Sequence, residues 1–365
     1  MHRKLQFAIF FCVLAFLLFL VNFVSYKAFA ALFGPSVLAG GILRLLSLGF
    51  VLVSVIGMRF YNAFTRVWYW IESIWMGFLA YLFIASAIYL TAASLSGHSL
   101  RAFGETLMFV SIVAALSGVI HGRKLAIIEK SISLPNLPDA WVGKKAVWIS
   151  DTHLGQIYGA CRAEKVVAAI NGLSPDIVFI GGDLYDGASV PKIVETAVPF
   201  GRLVAPHGVY FVTGNHEEFG DASPFTKKIA SLGIRILDNE KVDIDGLQIV
   251  GVDYAKTSKR ADFEKIIVDI GIDRTKPSIL LKHEPKDLDI AEKAGISFQI
   301  SGHVHSGQQW PFEYVAKLVY KGYTYGLKPF GKILVYVSSG AGTWGPPLRV
   351  GSTSEIVAYT FEKAE

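Results

Sequence analysis

The sequence predicts an α/β protein in two parts: four apolar helices suited to a membrane, then a water-soluble domain of alternating strands and helices. Three observations predict this. Charge is spread unevenly: between residues 5 and 120 the charged side chains are Lys27, Arg44, Arg59, Arg66, Glu72, Arg101 and Glu105, and beyond them charges return at ordinary density. Overall the chain is 52% apolar and 18% charged, shifted towards the apolar side of soluble averages. Long apolar runs fill the first third. From residue 144 onward short β-branched runs alternate with helical stretches, the pattern of an α/β domain. The chain therefore divides into a transmembrane region at 1–122, a linker at 123–143 containing Pro135 and Pro138, and a soluble domain at 144–365.

Residues 5–24 form a nearly unbroken apolar run, about the 20 residues a spanning helix needs. Further spans are predicted at 37–57, 69–90 and 106–120, the last short enough to need snorkelling flanks or a thinned bilayer. In lipid the backbone must satisfy its own hydrogen bonds, so these segments are read as helices. With the N-terminus in the cytoplasm, that side holds Arg3, Lys4, Arg59, Arg66, Arg123, Lys124 and Lys130, against Lys27 and Arg101 opposite. The positive-inside rule then places the soluble domain in the cytoplasm, unless one helix is missed or surplus. A cleaved signal ending at Ala28–Phe29–Ala30 is the rival reading; its apolar core is too long, and cleavage would leave the orientation unchanged. Arg44, inside the second run, either snorkels or faces a functional interior. Trp68, Tyr69 and Trp70 read as an interfacial aromatic belt.

The net charge of +5 says little about partners, and no basic stripe interleaved with aromatics points to nucleic acid. The two cysteines, Cys12 and Cys161, form no CxxC pair and no disulfide framework.

In the soluble part, strand-like runs lie at 146–150, 177–180, 209–213, 248–252, 279–282, 298–301, 333–338 and 355–361. Helix-like runs lie at 163–173, 192–203, 224–232, 263–270 and 287–294. Few helices separate the last strands, so part of the sheet is expected to be antiparallel.

Five of these strands end in polar groups. Asp151-Thr-His153 follows the first, Gly181-Gly-Asp183 the second, and Gly214-Asn215-His216-Glu217 the third. His283 follows 279–282, and Gly302-His303-Val-His305 follows 298–301. Ligands of open α/β sheets collect beyond the carboxyl ends of strands. Imidazole with carboxylate, and no thiolate, suits two divalent or trivalent metal ions such as manganese, zinc or iron. Asp183, the lone carboxylate after its strand, is the natural bridge between two cations, and Asn215 offers a neutral amide oxygen. Such a pair acidifies water into a nucleophile towards phosphorus and stabilises the charge that develops on phosphoryl oxygens. His216 is placed to protonate the leaving oxygen.

The ordered set DxH, GGD, GNHE, H and GHxH resembles the calcineurin-like metallophosphoesterase superfamily, over roughly residue 144 to the C-terminus. That resemblance implies a double β-sheet sandwich flanked by helices around a binuclear centre. Carried over motif by motif, it gives Asp151, His153 and His305 to one metal and Asn215, His283 and His303 to the other. Asp183 bridges, and His216 is the acid. The tail SSGAGTWGPPLRVGSTSEIVAYTF, 338–361, is similar to that of a membrane-attached bacterial phosphodiesterase branch, which implies a bacterial cell membrane. Ser306 and Ser339 stand where that branch usually carries Gly and Arg, which puts substrate preference in doubt but not the ligand set. Some relatives in the branch hydrolyse the pyrophosphate of UDP-2,3-diacylglucosamine, so a lipid-linked phosphate-ester substrate is expected. Trp310, Pro311 and Phe312 would be either an apolar wall near the bilayer or ordinary core. Lys282 and Arg349 are candidate phosphate-binding cations. The rival readings are a broad phosphatase or nucleotide phosphodiesterase merely tethered to the membrane, and an inactive membrane sensor or scaffold.

Overall fold

A computed structural model describes residues 2–57, 59–187, 191–219 and 221–364. The chain forms two compact units, Met1–Arg123 with Gly345–Val350, and Lys124–Trp344 with Gly351–Glu365.

The first unit contains helices α1 (His2–Phe33), α2 (Val37–Gly57), α3 (Ala63–Ser96) and α4 (Arg101–Gly122). All four are long and apolar enough to cross a membrane. α3 outruns its predicted span because polar chemistry, not apolarity, sets its ends. Asn62 and Thr65 form a reciprocal capping box at 3.0 and 3.1 Å, and Gly97 stops the helix at φ 67°. α4 corrects the short fourth span: its first turn carries Arg101 paired with Glu105 at 2.8 Å, which hydropathy trims away. At about 1.5 Å per residue its length reaches ~33 Å. The 345–350 segment packs among these helices. Leu348 fills the space beside Gly77, where a Cβ would lie 2.1 Å from Leu348 Cδ2, and the backbone N of Arg349 donates to Gly118 O at 2.9 Å.

Among the described residues the second unit holds twelve strands: β1 (Ala126–Leu134), β2 (Lys145–Ile149), β3 (Ile177–Ile180), β4 (Val209–Phe211), β5 (Arg235–Ile236), β6 (Glu240–Ile244), β7 (Leu247–Gly251), β8 (Ser278–Leu281), β9 (Phe298–Ser301), β10 (Gly326–Phe330), β11 (Ile333–Val337) and β12 (Glu355–Lys363). They make two six-stranded sheets, ordered β1-β12-β2-β3-β4-β5 and β10-β11-β9-β8-β7-β6. The sheets are mostly parallel, with antiparallel pairs β12–β2, β6–β7 and β10–β11. Alternation along each strand sorts the side chains. Trp148, Phe179, Ile279, Leu281, Phe298, Ile300 and Tyr359 enter one shared core, whereas Val250, Leu280, Phe263 and Leu288 form a second core under the helices at 260–270 and 288–294.

Two further expectations need correction. The linker at 123–143 contains β1, which pairs in parallel with β12 from Ala126↔Glu355 to Leu134↔Lys363. Its partner lies at the far end of the chain, and exposed Glu129, Lys130 and Ser131 mask its apolar pattern. The helix expected at 192–203 is one α turn, Pro191–Val194, followed by a tighter 3-10 segment, Glu195–Arg202. Pro199 explains the change, since it has no N–H and crowds the preceding turn.

Candidate metal centre

The carboxyl ends of β2, β3, β4, β8 and β9 converge. Asp151, His153, Asp183, His303 and His305 all adopt left-handed backbone angles, with φ from 50° to 69°. Such angles are costly away from glycine and persist only where the surroundings over-determine them. Here the loops tie to one another: Asp151 N donates to Gly182 O at 3.0 Å, His153 N to Asp183 O at 3.1 Å and Gly302 N to His283 O at 2.9 Å. Gly214 must lack a side chain, since a Cβ there would lie 2.1 Å from Asp183 Oδ1.

Three overlapping groups of donors result: Asp151, His153 and His305; His153, Asp183 and His216; and Asp183, His283 and His303. Within each, the candidate ligand atoms lie within 4.8 Å of one another. In the first, His153 Nε2 and His305 Nε2 are 3.0 Å apart, and His305 Nε2 is 3.6 Å from Asp151 Oδ1. Around the third, His283 Nε2 is 3.2 Å from both Asp183 Oδ2 and Asn215 Oδ1, while His303 Nδ1 is 2.8 Å from Asn215 Oδ1 and 3.3 Å from His283 Nε2.

The residues present fit a cation. His283 Nδ1 donates to Gly181 O at 2.7 Å, which assigns the tautomer and turns the Nε2 lone pair towards two oxygen acceptors. Lone pairs facing lone pairs in a buried site need positive charge between them. The imidazole, carboxylate and amide donors suit manganese, zinc or iron. The electrostatics show the same demand, because a proton on His283 Nε2 and a bound cation are alternative ways to supply that positive charge. Burial opposes charge on His283, yet Asp183 pushes it up to about 10. Against the upward push of burial, His283 holds Asp183 well below the usual carboxylate range. Burial pushes the Asp151 carboxyl up, and burial together with His283 pushes His303 down to about 4.

The structure thus brings together Asp151, His153, Asp183, Asn215, His216, His283, His303 and His305. It does not bring Lys282 to them. Lys282 shares the outward parity of Leu280, lies over the Phe263 ring at 5.1 Å and donates to Glu284 O at 3.1 Å. Burial lowers its pKa to about 8. Arg349 is buried in the 345–350 segment of the helical unit. Trp310 and Phe312 are exposed rather than core.

Three carboxylates escaped the sequence reading. Glu217 is fully buried and accepts from the backbone N of Asp183, Tyr185 and Gly214, each at 2.9 Å. Burial raises its pKa to about 7, with Asp183 adding to the rise. Asp186 Oδ1 stands 3.4 Å from both His153 Nδ1 and His216 Nδ1. Glu284 Oε1 faces His303 Nε2 at 3.7 Å and accepts from Tyr320 Oη at 3.0 Å. Each follows a motif residue closely in sequence, which was the available signal. Their partners, however, lie on other loops.

Residues 144–307 match the family described as calcineurin-like phosphoesterase. An "uncharacterized metallophosphoesterase" of Helicobacter pylori is 37% identical over 217 residues, covering 58% of each chain. One of Campylobacter jejuni is 32% identical over 268 residues, 71% of this chain and 70% of the relative. A "transmembrane protein with metallophosphoesterase domain" of Danio rerio is 30% identical over 281 residues, 72% of this chain and 64% of the relative. The match thus spans under two thirds of the Helicobacter and Danio proteins. On its donor set, its two-sheet fold and these likenesses, this chain belongs to the calcineurin-like metallophosphoesterase family.

Proposed function

We propose that the chain is a membrane-bound phosphoesterase with a binuclear metal centre, hydrolysing a lipid-linked phosphodiester or pyrophosphate. Its family consists generally of metal-dependent phosphoester hydrolases. The observation that carries the reading is Asp183, a buried carboxylate common to two of the three donor groups. In this reading Asp151, His153 and His305 hold one cation, Asn215, His283 and His303 the other, and Asp183 serves both. Cations held there would acidify water and neutralise charge on phosphoryl oxygens.

The chain's own residues do the rest. Asp183 Oδ1 accepts from the backbone N of His216 at 2.8 Å, so the bridging carboxylate and the candidate acid are fixed together. Asp186 Oδ1 faces His216 Nδ1 at 3.4 Å, and burial pushes the pKa of that imidazole down, so that once protonated it is a stronger acid towards a leaving oxygen. Two exposed aromatic rings, Phe219 and Trp344, stand beside His216 with centroids at 4.5 and 6.4 Å. An apolar rim of this kind favours a lipid-bearing substrate over a fully soluble one. The basic residues flanking the helices support a cytoplasmic domain on a bacterial inner membrane.

The test uses the detergent-solubilised full chain, bis-aryl phosphate as substrate, and elemental analysis. Asp183→Ala is expected to lose both metals and nearly all turnover. His216→Ala is expected to keep the metals and lose about 10²–10⁴-fold in rate. Full metal occupancy in the Asp183 variant would remove the bridge. Metal loss in the His216 variant would make His216 a ligand with His153 and Asp183, an arrangement their clustering allows.

A further inference from the structure

In the α/β unit the short helix Glu313–Val319 has no buried residue. It begins at Glu313, shortly after the GHxH motif that ends at His305. One face is anchored: Ala316 and Tyr320 pack against the second core, and the Tyr320 ring lies 6.1 Å from that of His303. The opposite face is apolar and open. Tyr314, Val315, Leu318 and Val319 are exposed, Leu318 at 83%, and Trp310 and Phe312 extend the patch. Positions 314 and 318, and 315 and 319, stand one turn apart, so these side chains form one continuous surface. Lys317 reaches back over the Tyr314 ring at 5.0 Å, and Lys321 and Lys328 follow.

We propose that this 310–319 element is a membrane-surface device: its apolar face enters the interfacial layer of a lipid bilayer and presents lipid-borne phosphate esters to the adjoining metal centre. Two observations select lipid as the occupant. Only residues 123–125 separate the end of α4 from the start of β1, an extended reach of at most about 11 Å. A bilayer that holds the helices is therefore always close in chain terms. The patch also combines Trp, Tyr and aliphatic residues with lysines, the composition that suits the headgroup boundary and anionic lipid. The part concerning lipid-borne esters rests on the function proposed above.

The test reconstitutes the full chain in vesicles of phosphatidylcholine and phosphatidylglycerol. A single cysteine at Leu318→Cys, or at Val268→Cys as an exposed apolar control on another helix, carries an environment-sensitive fluorophore, with Cys12 and Cys161 changed to Ser. Doxyl-labelled lipid is expected to quench the probe at 318 and not at 268. Equal quenching at both positions overturns the proposal. So does shielding of 318 from both lipid and aqueous quenchers, which would assign the face to a protein partner. Separately, Leu318→Glu with Val319→Glu is expected to keep turnover of soluble bis-aryl phosphate and to lose at least about 10-fold on a phosphodiester carried by the vesicles. Equal rates on the vesicle substrate remove the presenting role. If the unmodified chain hydrolyses neither ester, the proposed function falls, while the quenching comparison still decides the surface.

Discussion

In the helical unit Leu38, Leu45, Phe64 and Phe109 point outward with two thirds or more of their surface exposed, whereas in the α/β unit Trp148, Phe179, Phe211 and Phe298 are wholly buried. The same side-chain chemistry is placed in opposite ways because the surroundings differ. Against water, apolar surface drives burial at about 25 cal/mol per Å², so the two sheets close over their aromatics. Against hydrocarbon that drive is absent between helices, and close approach of small residues replaces it. Gly104 accordingly meets Tyr89 and Leu32 of neighbouring helices, whereas Gly77 and Gly118 make room for the 345–350 segment. The Glu313–Val319 helix belongs to the α/β unit by sequence yet follows the surface rule of the helical one.

The sharpest way to break this contrast is a pair of truncations. Phe179→Ala leaves a cavity in the shared core and is expected to cost about 3–5 kcal/mol. Leu116→Ala, on the exposed side of α4, is expected to change stability by no more than ~0.5 kcal/mol. Denaturant titration of the detergent-solubilised chain, followed by near-ultraviolet circular dichroism, measures both. A comparable loss at Leu116 would mean that the outward helix face packs against another protein surface.

The same contrast governs what the sequence could reveal. Apolar runs and strand-end motifs are local, so the four helices, the α/β class and the eight convergent residues from Asp151 to His305 were legible, while the two-sheet arrangement was only what the family resemblance implied. What escaped depends on distant partners. β1 looked like a linker because β12, which completes it, lies at the other end of the chain. Lys282 looked like a phosphate ligand beside His283, but neighbours on a strand face opposite ways. Glu217 stands two residues after Asn215 in GNHE, and nothing in that motif shows that its carboxylate ties the β3 and β4 loops together.

Glu217 offers the next largest effect. Glu217→Gln keeps the shape but aims an amide at three backbone N–H donors that the carboxylate accepts from, so at least one donor is left facing another. The Asp183 loop then loses its clamp. Supporting residues of this kind typically tune metal affinity by about 10–100-fold. A calorimetric Mn²⁺ or Zn²⁺ titration of the variant, with its circular dichroism unchanged, reads that loss directly. Unchanged affinity would show that the left-handed loop angles hold themselves without the buried carboxylate.

The smallest effect separates backbone cost from site design. Ser306 has φ 54°, directly after His305 at φ 52°, and Ser174 has φ 49° on an exposed turn before the amino end of β3, the opposite end of that strand from the metal centre. A Cβ in this region costs about 1–2 kcal/mol relative to glycine, and the looser unfolded chain of a glycine variant returns part of that. Both Ser174→Gly and Ser306→Gly are therefore expected to stabilise the α/β unit by roughly 1 kcal/mol, a rise of about 2–4 °C in Tm. Thermal unfolding with and without added Zn²⁺ distinguishes the two positions. A gain at Ser174 alone would mean that the GHxH turn gets its geometry from contacts that a glycine at 306 gives up, so that strain there belongs to the metal centre rather than to the turn.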